Sequence, residues 1–182
     1  MAEEEIVDRV SKSPIQTLDL DQYYPVAEIV EIDLKDWLYK GLIVKEQEFR
    51  DEVQQHDWSQ YRGKHVALFC STDAIVPIWT WMLMQASLYP EAEDVYYGRK
   101  DDVLTLLFKD KLQAEVDLSQ FEDKPAVVKG CDDKTIPSGA FMEAVKLLMP
   151  RAKSIMYGEP CSTVPVYKRP VRRKSSATTK NS

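Results

Sequence analysis

Apolar and polar residues alternate in blocks along the middle of the chain, and these blocks predict strands and helices in turn. A β-branched and apolar run leads into Cys70, a polar turn follows, and an apolar helix extends from Pro77 to Leu88. A second strand closes at Tyr97 and Gly98. The order strand, helix, strand indicates a βαβ unit.

The same pattern recurs sixty residues later. Residues 57–98 and 117–158 align without a gap and share twelve identities in forty-two positions, whereas average residue usage gives about two or three. A charged helix is predicted before each unit. The sequence therefore predicts an α/β fold with a parallel sheet built from two duplicated βαβ halves, repeated at about 48–98 and 107–158.

The N-terminal part lies outside this repeat. Residues 1–14 are polar and predict a flexible N-terminus. The runs 17–20 and 28–32 alternate apolar with acidic side chains, which is the period of a half-exposed strand. We therefore expect a short N-terminal β appendage to the duplicated domain.

The C-terminal part is rich in proline and then in basic residues. Proline disfavours helices and central strands, so the stretch after Gly158 predicts a loop that runs over the sheet. Residues 168–182 are basic, contain many Ser and Thr, and predict a disordered tail. We expect a single α/β domain over residues 15–167.

The charge distribution argues against a nucleic-acid surface. The formal net charge is −6, and removing the six basic residues from Lys168 onward leaves −12 for the rest of the chain. No apolar run is long enough to span a membrane, and the acidic start MAEEEIVDRV differs from a signal peptide. We expect a cytoplasmic protein without nucleic-acid or membrane partners. Three cysteines in such a chain indicate thiols or metal ligands more than a disulfide framework.

All three cysteines come at or just after the carboxyl ends of predicted strands. Cys70 and Cys131 follow the first strand of each repeat, and Cys161 comes three residues after Gly158. Open parallel sheets bind their ligands at this edge. Thiolates select zinc or iron over magnesium or calcium. The sequence predicts a metal or persulfide site made of Cys70, Cys131 and Cys161 at the seam of the two repeats, with zinc or iron as its cofactor.

Polar residues beside these cysteines are candidate cofactor-binding groups: Ser71, Thr72, Asp73 and Asp133. The hydroxyls are suited to contact an anion at a helix N-terminus. The two aspartates are suited either to a ligand or to capping the helix that follows. The sequence contains no glycine-rich nucleotide-binding loop and no metal-binding histidine motif, so no catalytic residue is assigned.

Two other interpretations stay open. Cys70 or Cys161 acting as a nucleophile between the halves predicts a small enzyme. Cysteines that are simply buried apolar side chains predict a structural or interaction module. In that case the Trp-rich helix from Pro77 to Leu88, apolar on nearly all sides, is expected to form a homodimer interface.

Three runs of residues carry a family resemblance: HDWSQYRGKHVALFCSTDAIVPIW, KGC ending at Cys131, and SIMYGEPCSTVPVYKRP. They resemble the bacterial family called domain of unknown function 2480, and the likeness covers the chain from Ile15 to Pro170. The resemblance implies no particular activity. It implies a gene setting beside iron–sulfur cluster assembly genes of the sulfur-mobilisation type, and therefore iron–sulfur assembly proteins as partners.

Overall fold

The computed structural model describes residues 15–130, 135–159 and 162–170 and shows an α/β fold. Its helices and strands are, in chain order, β1 (Gln16–Asp19), β2 (Ile29–Asp33), α1 (Glu46–Gln55), β3 (His65–Phe69), α2 (Ile78–Leu88), β4 (Asp94–Tyr97), α3 (Lys100–Glu115), β5 (Pro125–Lys129), α4 (Ser138–Leu148), β6 (Ser154–Glu159) and β7 (Ser162–Lys168). Short 3₁₀ helices lie at Leu20–Tyr23, Leu34–Trp37, Trp58–Tyr61 and Leu118–Phe121.

These strands form two sheets. The first sheet has the order β2-β3-β4, and the second has the order β1-β5-β6-β7. Neighbouring strands are parallel except for β6 and β7, which are antiparallel. The prediction of one parallel sheet is therefore corrected. A hydrophobic pattern reports which side chains are buried, but it does not report which strands become neighbours.

The two N-terminal strands are integral parts of these sheets. Leu18 of β1 lies opposite Val128 of β5, and Ile32 of β2 lies opposite Leu68 of β3. Leu18 and Ile32 are both buried. The predicted N-terminal appendage is thus wrong, because each run completes a set of three parallel strands in a different sheet.

Corresponding elements of the two sheets are spaced by sixty residues: β3 and β5, α2 and α4, and β4 and β6 each begin at that offset. The 3₁₀ helices before β3 and β5 are also built alike. Asp57 accepts a hydrogen bond from the Ser59 amide at 3.0 Å and from its hydroxyl at 2.6 Å, and Asp117 does the same with Ser119. The hydroxyl hydrogen bond lowers the pKa of each aspartate. The same local sequence therefore builds the same turn twice.

Helix α3 links the two sheets. Its Leu104, Phe108 and Leu112 are buried in the core of the second sheet, while the helix also contacts β2 and β3 of the first sheet. At its N-terminus the Lys100 amide donates a hydrogen bond to the Glu31 carboxylate at 2.9 Å. Helix α3 therefore packs against both sheets.

The corresponding helices α2 and α4 pack against their neighbours in different ways. Gly139 of α4 lets α3 approach closely, since a Cβ atom there would lie 2.5 Å from Thr105 Oγ1. The residue of α2 at the same offset is Trp79, whose indole packs edge-on against Phe49 of α1 at 5.9 Å and under the Arg50 guanidinium at 5.0 Å. A bulky ring thus stands in α2 where α4 has no side chain.

The stretch after Gly158 forms strand β7, so the prediction of a loop there is corrected. This strand lies at the edge of the second sheet, where proline is tolerated because one side of the strand needs no partner. Pro165 is opposite Met156, next to a register shift in the β6–β7 pairing. Proline is disfavoured in central strands, and β7 can contain it because β7 is an edge strand.

The second sheet continues slightly beyond the predicted end of the domain at residue 167. Lys168 is the last residue of β7, and the Arg169 amide donates a hydrogen bond to Lys153 O at 2.9 Å. The remaining residues of the predicted tail, 171–182, and the predicted flexible N-terminus, 1–14, lie outside the described residues.

Candidate functional site

Cys70 lies directly after β3, at the carboxyl end of that strand, where the sequence placed it. Its thiol is partly buried, with Sγ 3.4 Å from Thr72 Oγ1 and 3.6 Å from Thr72 O. The Thr72 hydroxyl donates to Gly41 O at 2.9 Å. Cys70 and Thr72 therefore belong to a turn that is tied to the segment around Gly41.

The neighbouring polar candidates also have structural partners or face solvent. The Ser71 amide donates to Asp33 Oδ1 at 3.0 Å. Burial raises the pKa of Asp33, but hydrogen bonds from Ser71 and the Lys35 amide outweigh it and lower the pKa. Asp73 is exposed and does not cap α2, because the helix follows Pro77 and no side chain caps it. The capping interpretation is therefore wrong for Asp73.

Cys131, Asp133 and Cys161 lie outside the described residues. The three-thiolate site at the seam consequently stays a prediction. Within residues 15–130, 135–159 and 162–170, no group of three or more His, Cys, Asp or Glu side chains is placed to hold a metal ion.

The ends of the strands that lead to Cys131 and Cys161 do meet. Lys129 ends β5 two residues before Cys131, and Glu159 ends β6 two residues before Cys161. The Lys129 ammonium lies 3.8 Å from the Glu159 carboxylate and 3.2 Å from the carboxylate of Asp19, the last residue of β1. These chain ends come together at the carboxyl edge of the second sheet, whereas Cys70 ends a strand of the first sheet.

A cleft of about 470 Å³ opens beside Cys70, between the start of α2 and the end of β4. The Trp81 and Tyr97 rings meet edge to face in it, with centroids 5.0 Å apart. The described residues that line it are Cys70, Thr72, Ala74, Val76, Ile78, Trp81, Met82 and Tyr97. Because none of these carries an acid, an amine or an imidazole, the cleft suits an apolar group.

The second sheet has a corresponding cleft of about 590 Å³ between α4 and β6. Phe141 and Tyr157, at the same offset from Trp81 and Tyr97, meet edge to face at 5.7 Å. Two features distinguish this cleft. Lys146 lies in its wall, and Val166 of β7 covers part of it.

The surface next to the first cleft is a continuous exposed face of α2, which we call the α2 stripe: Ile78, Met82, Gln85, Ala86 and Tyr89. These positions recur every three or four residues and so lie on one side of the helix. Ile78 is 73%, Met82 67% and Tyr89 79% exposed. The whole of α2 contains no charged residue.

Strand β4 borders the same surface. Among the described strands β4 pairs with β3 only, whereas β6, its counterpart in the second sheet, is also paired with β7. Tyr97 at the end of β4 is 77% exposed and touches Trp81 of α2. The first sheet therefore presents an apolar helix face and an open strand edge side by side.

An aromatic cluster around His56 was not predicted from the sequence. The imidazole lies beside the stacked indoles of Trp37 and Trp58, at centroid distances of 4.8 and 4.6 Å. Its Nε2 is 3.2 Å from Tyr61 OH and 3.1 Å from Gln60 Nε2. Burial raises the pKa of Tyr61. The cluster joins the end of α1 to the next 3₁₀ helix, and only the frequency of aromatic residues hints at it in the sequence.

Comparison with known proteins gives one match. Residues 4–169 match the model of a family described as Protein of unknown function (DUF2480). No curated protein and no solved structure matches the chain. No helix in the described part of the chain is long and apolar enough to cross a membrane. Because the family model spans nearly all of the sequence, the chain belongs to the family Protein of unknown function (DUF2480).

Proposed function

We propose that this protein is an accessory protein that binds a protein partner through the α2 stripe and the neighbouring Tyr97. The observation that carries this proposal is the exposed, uncharged side of α2. Large apolar patches on a protein surface mark interaction sites, because water is displaced favourably when they are covered.

The contrast with α4 supports this proposal. At the offset of sixty residues, Ser138 stands where α2 has Ile78, and Lys146 stands where α2 has Ala86. A serine and a lysine keep that face of α4 compatible with water. At a third position the order is reversed, since the α2 stripe has Gln85 where α4 has Val145. The α2 stripe therefore differs from α4 in being uncharged rather than in being uniformly apolar.

The cleft beside Cys70 supplies a socket at one end of this surface. Its lining is uncharged and includes the aromatic rings of Trp81 and Tyr97, and it shares Ile78 and Met82 with the α2 stripe. Interfaces concentrate their affinity where one large side chain enters such a pocket. The site therefore suits an apolar or aromatic side chain of the partner.

Photo-crosslinking tests this proposal with a matched control. Benzoylphenylalanine in place of Met82 is expected to give strong protein adducts in the cells that make the protein, and in place of Met142 only traces. Met142 has the same offset on α4 and is similarly exposed, at 71% against 67% for Met82. Equal adducts from both positions, or none from position 82, would contradict the proposal.

A second candidate function is a metal or persulfide site that serves iron–sulfur cluster assembly proteins. The ion pair between Lys129 and Glu159 favours it, because it brings the strand ends leading to Cys131 and Cys161 to one edge. Thiolates in that position suit zinc or iron. Cys70 ends a strand of the other sheet, so we assign the main ligands to Cys131 and Cys161.

Metal and sulfide analysis of protein purified without oxygen tests this second candidate. Wild-type protein is expected to carry bound zinc, iron or sulfide, and Cys131→Ser and Cys161→Ser are expected to remove most of it. Cys70→Ser is the matched control and is expected to keep it. Protein that contains none of these elements, with all three thiols freely alkylated, would rule this candidate out.

We attribute the recurrence of elements at a spacing of sixty residues to duplication of an ancestral α/β unit. Two observations support this origin. Three pairs of elements begin sixty residues apart, and the turns at Asp57 and Asp117 have the same hydrogen bonds. In this comparison β1 of the second sheet corresponds to β2 of the first sheet, since each lies next to the first strand of its repeat.

A further inference from the structure

We propose that the occupant of the α2 stripe is a second copy of this chain, so that the protein is a twofold symmetric dimer. This inference rests on the proposed function, because it names the partner of the same surface. In such a dimer the α2 helices of the two copies lie against each other, with Tyr97 of each copy at the margin.

The absence of charge is the first observation that favours a second copy. In a twofold interface one patch meets itself, so each charge near the axis faces an identical charge. Helix α2 has no acidic or basic residue, although charged residues make up 30% of the chain. A partner of different sequence is usually selected by complementary charges, and the α2 stripe offers none.

The size of the surface is the second observation. Ile75, three residues before Ile78, is 92% exposed, and Ile78, Met82, Tyr89 and Tyr97 are 67% to 79% exposed. Together these side chains expose on the order of 700 Å² if large side chains span about 150–250 Å² each. A standard interface buries about 800 Å² per partner. The surface therefore falls within the range of roughly 600–1,000 Å² per partner that specific interfaces bury.

The open edge of β4 is the third observation. In the second sheet the corresponding strand β6 is paired with antiparallel β7, and Val166 of β7 covers the corresponding cleft. Among the described residues no strand does this for β4. A second copy placed across a twofold axis covers this side of the first sheet. The edge of β4 is then protected from pairing with strands of other proteins, which leads to aggregation.

Sedimentation velocity of the reduced full-length protein tests the dimer. Wild-type protein is expected to sediment as a dimer at about 10–50 µM and to dissociate on dilution, as expected of micromolar interfaces. Met82→Glu places one carboxylate from each copy in the interface and is expected to weaken dimerisation by at least about 100-fold. Met142→Glu is the matched control and is expected to leave the dimer intact.

A crosslink provides a readout that does not depend on the charge substitution. In a Cys70→Ser background, Ala86→Cys is expected to form a disulfide between copies on mild oxidation, and Lys146→Cys at the same offset is not. Circular dichroism establishes that each variant is folded. The Cys70→Ser protein, which keeps the other two cysteines, is the control for disulfides that do not involve position 86. It is expected to stay uncrosslinked.

Three outcomes would overturn the dimer. These are a monomer at 50 µM, a dimer that Met142→Glu rather than Met82→Glu disrupts, or a crosslink from position 146 rather than 86. If the protein is monomeric and position 82 crosslinks to a different protein in cells, the second copy is wrong and the docking function stands. If residues 1–14 of the same chain are crosslinked by position 82 instead, both proposals fail.

Discussion

Replacing Phe108 with alanine is expected to lower the free energy of unfolding by about 3–5 kcal/mol. Phe108 is completely buried in the middle of α3, and its ring meets Tyr24 edge to face at 5.4 Å. Removing the ring leaves a cavity lined by residues of the second-sheet core. Since small domains are stable by only about 5–15 kcal/mol, this is the largest single effect that we expect.

Chemical denaturation followed by circular dichroism measures this loss. Leu106→Ala is the matched control, because Leu106 lies two residues away on the same helix and is 40% exposed. We expect that variant to lose about 1 kcal/mol or less. A loss below about 1 kcal/mol for Phe108→Ala would show that α3 does not form the core described above.

The second large effect is expected at Gly139. Gly139 is the second residue of α4, and alanine is ordinarily a better helix former than glycine by up to about 1 kcal/mol. At Gly139 the added Cβ would meet Thr105 Oγ1 at 2.5 Å and Thr105 Cγ2 at 2.6 Å. We therefore expect Gly139→Ala to destabilise the protein by about 1–3 kcal/mol, because α3 and α4 must move apart.

A double-mutant cycle identifies the cause of this loss. Thr105→Ala removes the two atoms closest to the new Cβ and leaves only Thr105 Cβ, at 3.1 Å. Gly139→Ala is therefore expected to cost much less in that background than alone. The coupling energy from equilibrium denaturation is expected to be about 0.5–3 kcal/mol. An increase in stability for Gly139→Ala alone, as helix propensity predicts, would mean that the two helices are not in close contact at this point.

Much of the repeated framework could be predicted from residue order. Strands β3 and β5 are buried on both faces, as Val66, Ala67 and Leu68 show for β3, and such strands appear in a sequence as short unbroken apolar runs. The helices between them begin after Pro77 and Pro137. These signals are local, since each depends on residues only a few positions apart.

The candidate site was predictable only in part. Cys70 was expected at the end of its strand and lies there. The exposure of Met82 and Tyr89 could not be deduced, because an apolar helix has the same composition whether it is buried or left for a partner. The structural roles of Ser71 and Thr72 could not be predicted either. They form hydrogen bonds with Asp33 and Gly41, which are more than thirty residues away in the sequence.

By itself the sequence determined where the strands and helices of the two repeats lie, because burial and helix start signals act over a few neighbouring residues. Only the tertiary structure decided that β1 joins the second sheet while β2 joins the first. It also decided that β7 pairs with β6 while no described strand pairs with the outer edge of β4. The physical reason is that backbone hydrogen bonds between strands are nearly the same for every sequence. Partners are therefore selected by the packing of the whole chain, which decides which apolar surfaces are covered and which are left exposed.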